Sequence, residues 1–180
     1  MFLTQAEVFD IGFNKVGRNV RISPQARFHN PECVSIRDNV RIDDFVVISG
    51  HVEIGSYVHL SVHSTIIAPR SKVRIDDFST MSFYSCITSA NDDYSGLYMT
   101  NPTVPREFTN VSDKPVHVDK HVIIGAHSLV LPGVTLNTGC AIGAFSLIKF
   151  DVPGWETHAG VPARKIGLRS NVMLKFASKI

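Results

Sequence analysis

The sequence predicts an all-β fold, a parallel β-helix built from six-residue units. Aliphatic or other large apolar residues recur at every sixth position through most of the 180-residue chain. The residue four places after most of them is small or β-branched, and the residue directly after them is often Gly or Asp. A period of six fits neither a 3.6-residue helix nor the two-residue alternation of a hairpin series. It fits a chain that repeats a short strand and a turn.

The repeat can be assigned to the sides of a prism, if three units make one coil. Side A then contains Ile42, Leu60, Met81, Ile124 and Ile142. Side B contains Ile48, Ile66, Ile87, Val130 and Ile148, and side C contains Ile54, Ile75, Val118 and Leu136. We expect these side chains to stack in columns inside the prism. No coil can bury its own apolar face, so stability must come from stacking on neighbouring coils.

The six-residue register breaks three times, each time at the corner between sides B and C. Two extra residues follow Phe28, three follow Ile66 and twenty-five follow Ile87. The longest break predicts an excursion loop over residues 88–117. Long loops without structure of their own are often functional, so this loop is the first place to look for a site.

The composition changes after Ile148, where prolines and glycines predict a strand that leaves the prism. The closing SNVMLKFASKI predicts a short C-terminal helix. We expect a single domain over residues 1–180, with the β-helix over 16–150 and a C-terminal strand and helix segment over 151–180.

Composition and charge argue against several classes of protein. The chain is 44% hydrophobic and 19% charged, which is typical of an ordered globular protein. The net charge of +2, without any run of Lys or Arg, does not indicate a nucleic-acid-binding surface. Cys33, Cys86 and Cys140 are too far apart for a CxxC pair, and so few cysteines fit a reducing compartment. The N-terminus lacks a signal-peptide pattern, and no stretch approaches the roughly 20 apolar residues of a membrane span. We expect a soluble, cytoplasmic protein.

The hexads, the segment HVIIGAHSLVLPGVTLNTGCAIGAFSLI and the closing AGVPAR carry a family resemblance. Over residues 16–170 the chain resembles the hexapeptide-repeat acyltransferases, in the branch of xenobiotic, galactoside and lipopolysaccharide-sugar acetyltransferases. The resemblance implies a left-handed helix, whereas the usual rule for parallel crossovers predicts a right-handed one. It also implies a homotrimer with three active sites in the clefts between subunits. The excursion loop of one subunit would then cover acetyl-CoA on its neighbour.

The resemblance places acetyl-CoA, the acyl donor, along the C-terminal coils. Small residues would let the pantetheine arm lie against the backbone there, at Gly125, Ala126, Ser128, Gly143 and Ala144. Lys149, Arg164 and Lys165 follow and would bind the CoA phosphates through charge-assisted hydrogen bonds. Tight packing between coils would explain the same glycines without any cofactor, and a solvated surface would explain the same basic residues.

Acyl transfer needs a base for the acceptor, and histidine is the usual one. In the xenobiotic branch an Ala-Asn-His segment of the excursion loop supplies it, but here Ala90 and Asn91 are followed by Asp92. One hypothesis is therefore a carboxylate base, Asp92 or Asp93, which would suit an amine acceptor. Asn91 and Tyr94 would then contact the substrate. Asp, Ser and Gly are also ordinary turn formers, which would explain the segment without catalysis.

A histidine on the prism is the second hypothesis. His59 and His63 lie at or beside side A, the side assigned to CoA, and imidazole titrates near neutral pH. The sequence slightly favours His59 on these grounds, although an exposed histidine at a polar edge is equally common. Phe83 and Tyr84 would form an apolar floor for a sugar ring or contact another subunit.

Together these patterns predict an acetyl-CoA-dependent acetyltransferase. Its acceptor would be an amine or hydroxyl of a nucleotide-linked amino sugar or of an O-antigen or lipopolysaccharide sugar, and no metal is expected. The alternative is a non-catalytic or metal-binding β-helix that resembles the gamma-class carbonic anhydrases, which need three histidines in metal-ligand geometry. The chain has eight histidines, but the Gly–Ala pairs and the Gly-Val-Pro-Ala segment favour CoA.

Overall fold

The computed structural model describes residues 1–180. Most of the twenty strands are two or three residues long. In chain order they are β1 (Lys15–Val16), β2 (Arg21–Ile22), β3 (Arg27–His29), β4 (Val34–Ile36), β5 (Arg41–Ile42), β6 (Val47–Ile54), β7 (His59–Leu60), β8 (Thr65–Ile75), β9 (Thr80–Met81), β10 (Cys86–Thr88), β11 (Ala90–Asn91), β12 (Ser112–Asp113), β13 (Val116–Val118), β14 (Ile123–Ile124), β15 (Leu129–Val130), β16 (Thr135–Leu136), β17 (Ala141–Ile142), β18 (Leu147–Ile148), β19 (Glu156–Gly160) and β20 (Ala163–Leu168). The helices are α1 (Gln5–Asp10) and α2 (Leu174–Ala177), with 3₁₀ turns at Pro31–Cys33 and Arg106–Phe108.

The strands stack in register as the three sides of a prism. On side A, β2, β5, β7, β9, β14, β17 and β19 pair in parallel from one coil to the next. Side B contains β3, β10, β15 and β18, and side C contains β1, β4, β13 and β16. The long strands β6 and β8 run through the B–C corner and therefore belong to both sides. The paired residues are those of the predicted columns, so the assignment is confirmed on side A, side B and side C.

The columns of the three sides meet in one continuous aliphatic core. A single cluster of 31 buried hydrophobic residues runs through it from end to end. Serine fills several of the small positions at the inner corners, for example Ser79, whose hydroxyl donates to the Asp119 carbonyl at 2.7 Å. Burial of that length of aliphatic surface is what holds such short strands in place.

One corner of the prism carries a stack of five aromatic rings, which we call the aromatic ladder. Successive ring centroids are 4.5 to 5.0 Å apart. The ladder consists of Phe45, His63, Tyr84, His127 and Phe145, one from each of five coils at the A–B corner. All five have φ between 55° and 60°, a conformation that bulky residues rarely adopt. Ring stacking offsets part of that backbone cost.

The C-terminal segment departs from the prediction. The sequence predicts a strand that leaves the prism after Ile148, but Val152 is buried against side C and β19 pairs in parallel with β17 on side A. That expectation was wrong because the coil continues for another turn. The chain then reverses at Val161–Pro162, and β20 pairs antiparallel with β19. The short C-terminal helix is present as the single turn α2.

The N-terminal end of the prism is closed by α1, for which the sequence analysis gave no element. Thr4 caps it, and the Glu7 side chain bonds back to the Thr4 N–H at 2.7 Å in a capping box. Val8 is fully buried against the first coil. The structure contains no helix with the length and apolar character needed to cross a membrane.

The excursion loop is anchored by a two-stranded ribbon. β11 and β12 pair antiparallel at its base. The Asp113 carboxylate accepts a hydrogen bond at 2.8 Å from the backbone N–H of Ser71, which lies in the smaller insertion of the coil below. Two insertions at the same corner are therefore fixed to each other.

The column assignment can be tested by truncating one interior residue. Ile54 is 2% exposed, so Ile54→Ala should lower the free energy of unfolding by about 2–5 kcal/mol, because it leaves a cavity in side C. The matched control is Ile123→Ala, since this side chain is 37% exposed on the outer face, and its cost should be about 0.5 kcal/mol. Chemical denaturation at one fixed protein concentration measures both. Equal costs would contradict the assignment.

Candidate functional site

The C-terminal coils form a basic cleft of about 200 Å³. It brings together Lys149, Arg164 and Lys165, which the sequence analysis proposed as phosphate ligands. Lys165 is paired with Glu156, which also lies 2.9 Å from the His158 ring. Hydrogen bonds from Lys165 and then His158 lower the pKa of the Glu156 carboxyl. Lys149 and Arg164 pair with no carboxylate and are available to an anion.

The two predicted glycines of the CoA site have a packing role. A Cβ atom on Gly125 would lie 2.6 Å from the backbone nitrogen of Ala144 in the next coil. One on Gly143 would lie 2.8 Å from the Ala159 Cβ. Both glycines are therefore required for coil stacking. Ala126 is half-buried and Ala144 is exposed on the outer surface beside them.

Ser128 does not face the outer surface. Its side chain is buried, donates to the Gly143 carbonyl at 3.0 Å and accepts from the Ser146 N–H at 3.2 Å. The small residue at this position is an inward-facing corner residue, so its hydroxyl cannot contact a cofactor that lies outside the prism.

The two prism histidines differ in their surroundings. His59 is half-exposed on side A, with Nε2 2.7 Å from Asp43, which Arg41 also contacts at 2.6 Å. Burial acts to raise the pKa of the Asp43 carboxyl, but hydrogen bonds from His59 and Arg41 more than offset it, and the pKa is lowered. A charged Asp43 thus orients the His59 ring. His63 is stacked inside the aromatic ladder, with Phe45 on one face and Tyr84 on the other.

The predicted aromatic floor is part of the same corner. Tyr84 belongs to the aromatic ladder, and Phe83 lies edge-on to Tyr84 and to His127. Both are about half exposed, at 51% and 47%. The position is open to a ligand or to a second copy of the chain.

The loop carboxylates also differ from each other. Asp93 accepts hydrogen bonds from the Ser95 hydroxyl and N–H and from the Asn110 amide, and the Ser95 bonds above all lower its pKa. Asp93 is therefore committed to the turn. Asp92 is exposed, has no side-chain partner and lines a cavity of about 290 Å³ at the base of the loop. Of the two, Asp92 is the carboxylate that can meet a ligand.

The other two predicted loop residues, Asn91 and Tyr94, do not line this cavity. Asn91 pairs with Ser112 in the ribbon, and Tyr94 is 87% exposed with its ring in solvent. The cavity beside Asp92 also contains Arg70 and Arg106, which the sequence analysis missed. The signal available for Arg70 was its position in the insertion at the same corner as the excursion loop.

Within one chain the candidates fall into two groups. The prism histidines and Gly–Ala pairs lie on side A or its A–B corner, whereas the loop leaves the prism at the B–C corner. These positions are on opposite flanks of side B. A single chain therefore does not bring the loop carboxylate to the Gly–Ala coils.

Comparison with known proteins identifies the family, although no family model matches the chain. A dTDP-4-amino-4,6-dideoxy-D-glucose acyltransferase from Escherichia coli is 44% identical over 180 residues, which cover 98% of this chain and 93% of that protein. This chain belongs to the hexapeptide-repeat acyltransferase family.

Solved structures of family members agree. AntD, an N-acyltransferase from Bacillus cereus in complex with dTDP and 3-hydroxybutyryl-CoA, has a TM-score of 0.97 and 40% identity, covering 99% of this chain and 95% of that one. Variants of AntD have also been solved in complexes that contain coenzyme A. In some of them an aspartate is replaced, and in others a serine ten positions before it. The acetyltransferase NeuO, with 14% identity and a TM-score of 0.63, supports the fold alone. The helix is left-handed, as the resemblance implied.

The packing role of Gly125 can be separated from cofactor binding. Gly125→Ala places a methyl group against the backbone of the next coil, so it should cost about 1–3 kcal/mol of stability and lower the melting temperature without CoA present. Gly167→Ala is the control, because nothing lies within 4 Å of the added Cβ. Thermal unfolding and CoA titration of both variants measure this. An unchanged melting temperature with lost CoA binding would instead favour direct cofactor contact.

Proposed function

We propose that this acyltransferase transfers an acetyl group from acetyl-CoA to the amine of a dTDP-linked amino sugar. One observation carries the proposal: the chain superposes over 99% of its length on an N-acyltransferase that binds dTDP and an acyl-CoA. An AntD variant also binds dTDP-4-amino-4,6-dideoxyglucose, and the Escherichia coli relative is named for the same sugar. Acyl-CoA-dependent transfer to a sugar is the activity of the family branch to which the chain belongs.

The donor site that we propose lies on the C-terminal coils. Lys149 and Arg164 have no carboxylate partner at the cleft and would hold the CoA phosphates. The exposed edge beside Ala126 and Ala144 leaves backbone groups open to the pantetheine arm. The acyl group would then point along side A toward the middle coils.

The base that we propose is Asp92. As the amine nitrogen bonds to the acyl carbon and the carbon–sulfur bond breaks, the carboxylate would accept the proton that the nitrogen loses. CoA would leave as the thiolate and take up that proton from the Asp92 carboxyl group, which restores the carboxylate and gives the thiol. An amine is a better nucleophile than a hydroxyl, so a carboxylate is a sufficient base. Ser82 and Asp92 are the only serine and aspartate of this chain with the ten-residue spacing seen in the AntD variants. That spacing supports Asp92 as the base, whereas the sequence without the comparisons slightly favours His59.

We infer that the working unit is a homotrimer. Ser82 directly follows side A, and the strands β10 of side B and β11 of the ribbon separate it from Asp92. A cleft between two copies would bring the loop of one chain to the Gly–Ala coils of another. The exposed rings of Phe45, Tyr84 and Phe145 in the aromatic ladder offer an apolar surface for that contact.

The metal-binding alternative has less support. Within one copy of the chain, no group of three His, Cys, Asp or Glu residues is arranged to hold a metal ion. The relatives with high identity are acyltransferases.

The proposed base can be tested by isosteric substitution. Asp92→Asn should lower turnover on the order of a hundredfold while leaving CoA affinity unchanged, because only proton acceptance is lost. His59→Ala should keep most of its activity. CoA release with acetyl-CoA and dTDP-4-amino-4,6-dideoxyglucose measures both. Full activity in Asp92→Asn together with a large loss in His59→Ala would place the base on the prism.

The proposed homotrimer can be tested directly by measuring its mass in solution. Light scattering at micromolar concentration should report three times the 19.9 kDa chain mass. A monomeric mass in an active preparation would rule out a site shared between copies.

A further inference from the structure

Two cavities meet at the base of the excursion loop and share two arginines. The larger, of about 290 Å³, contains Arg70 and Arg106 together with Asp92 and Asp113. The smaller, of about 190 Å³, has no acidic residue. It is lined by Arg70, Arg106, Thr109, Asn110 and Val111. The two arginines therefore line both an acid-free lobe and a lobe that contains the proposed base.

The two arginines come from different insertions that the fold brings together. Arg70 lies in β8, where the register break after Ile66 carries the chain out of the prism. Arg106 begins the 3₁₀ turn in the excursion loop. The hydrogen bond from the Ser71 N–H to Asp113 ties the first insertion to the base of the second. Neither insertion alone would form this site.

The charge of both arginines is uncompensated. Of the ten arginines in the chain, Arg70 and Arg106 are the only two whose guanidinium groups have no hydrogen bond, ion pair or aromatic contact. The other eight have such partners, as for Arg74 with Asp76. Two unpaired guanidinium groups beside one cavity without an acid are suited in charge to a dianionic group. Guanidinium groups match phosphate oxygens in geometry and charge.

We propose that Arg70 and Arg106 form the diphosphate subsite for the acceptor, a nucleoside diphosphate amino sugar. The inference rests on the proposed function and specifies how the acceptor is oriented. The diphosphate would occupy the acid-free lobe, and the sugar would extend into the lobe that contains Asp92. The arginines would then meet the diphosphate in the cavity without an acid, while Asp92 in the larger cavity would meet the amine.

Calorimetric titration of the full-length protein with thymidine diphosphate tests this subsite without requiring turnover. Arg70→Gln and Arg106→Gln should each weaken binding about tenfold or more, because each removes charge-assisted bonds to phosphate. Arg106→Lys should lose less, since it keeps the charge. The control is Arg18→Gln, whose side chain is 93% exposed and 3.7 Å from Asp38, and it should bind as the wild type does.

Steady-state kinetics supply a second readout. Both glutamine variants should raise KM for the nucleotide sugar more than they lower kcat, because the diphosphate is bound equally before and during the reaction. CoA affinity and melting temperature should not change, since both arginines are exposed and without partners. If wild type and both variants bind thymidine diphosphate equally, the subsite is wrong and the proposed activity stands. If wild type neither binds it nor releases CoA with the amino sugar, both proposals fail.

Discussion

The in-register stacking of coils is the constraint on which the rest of this structure depends. A strand of two residues has no stability alone, but each one bonds to the same side of the next coil while its aliphatic residue joins a column. A slip of one residue would turn the column outward and bury the polar neighbours. The six-residue period can therefore be interrupted only at corners. The chain has three such interruptions, and all of them fall between sides B and C.

Two of those corner insertions contain the residues that we propose to bind the acceptor and to accept its proton. Because the prism is rigid, it fixes where each insertion begins and ends, and the inserted residues are free to vary in sequence. The insertion that contains Arg70 and the loop that contains Asp92 and Arg106 leave successive coils at one corner. The bond between Ser71 and Asp113 then fixes the first to the second. The acceptor site that we propose is a consequence of stacking two insertions.

Local surroundings give different roles to residues of the same type. His59 is oriented by Asp43, whereas His63 is held between two rings of the aromatic ladder. Asp93 is saturated by the turn that follows it, whereas the neighbouring Asp92 has no side-chain partner. Of the two loop carboxylates, these contacts leave only Asp92 available to a ligand, and the base that we propose depends on that difference.

The sequence by itself determined the prism, because the interior position of each strand must be apolar and six residues make one side. The columns of Ile42, Ile48 and Ile54 could be assigned to sides from that rule alone, and so could the corner of the excursion loop. Tertiary structure decided the burial of Ser128, the continued coil at β19 and the meeting of Arg70 with Arg106. Insertions have no period, so no spacing relates one to another. Their relative position depends on contacts between residues far apart in the chain.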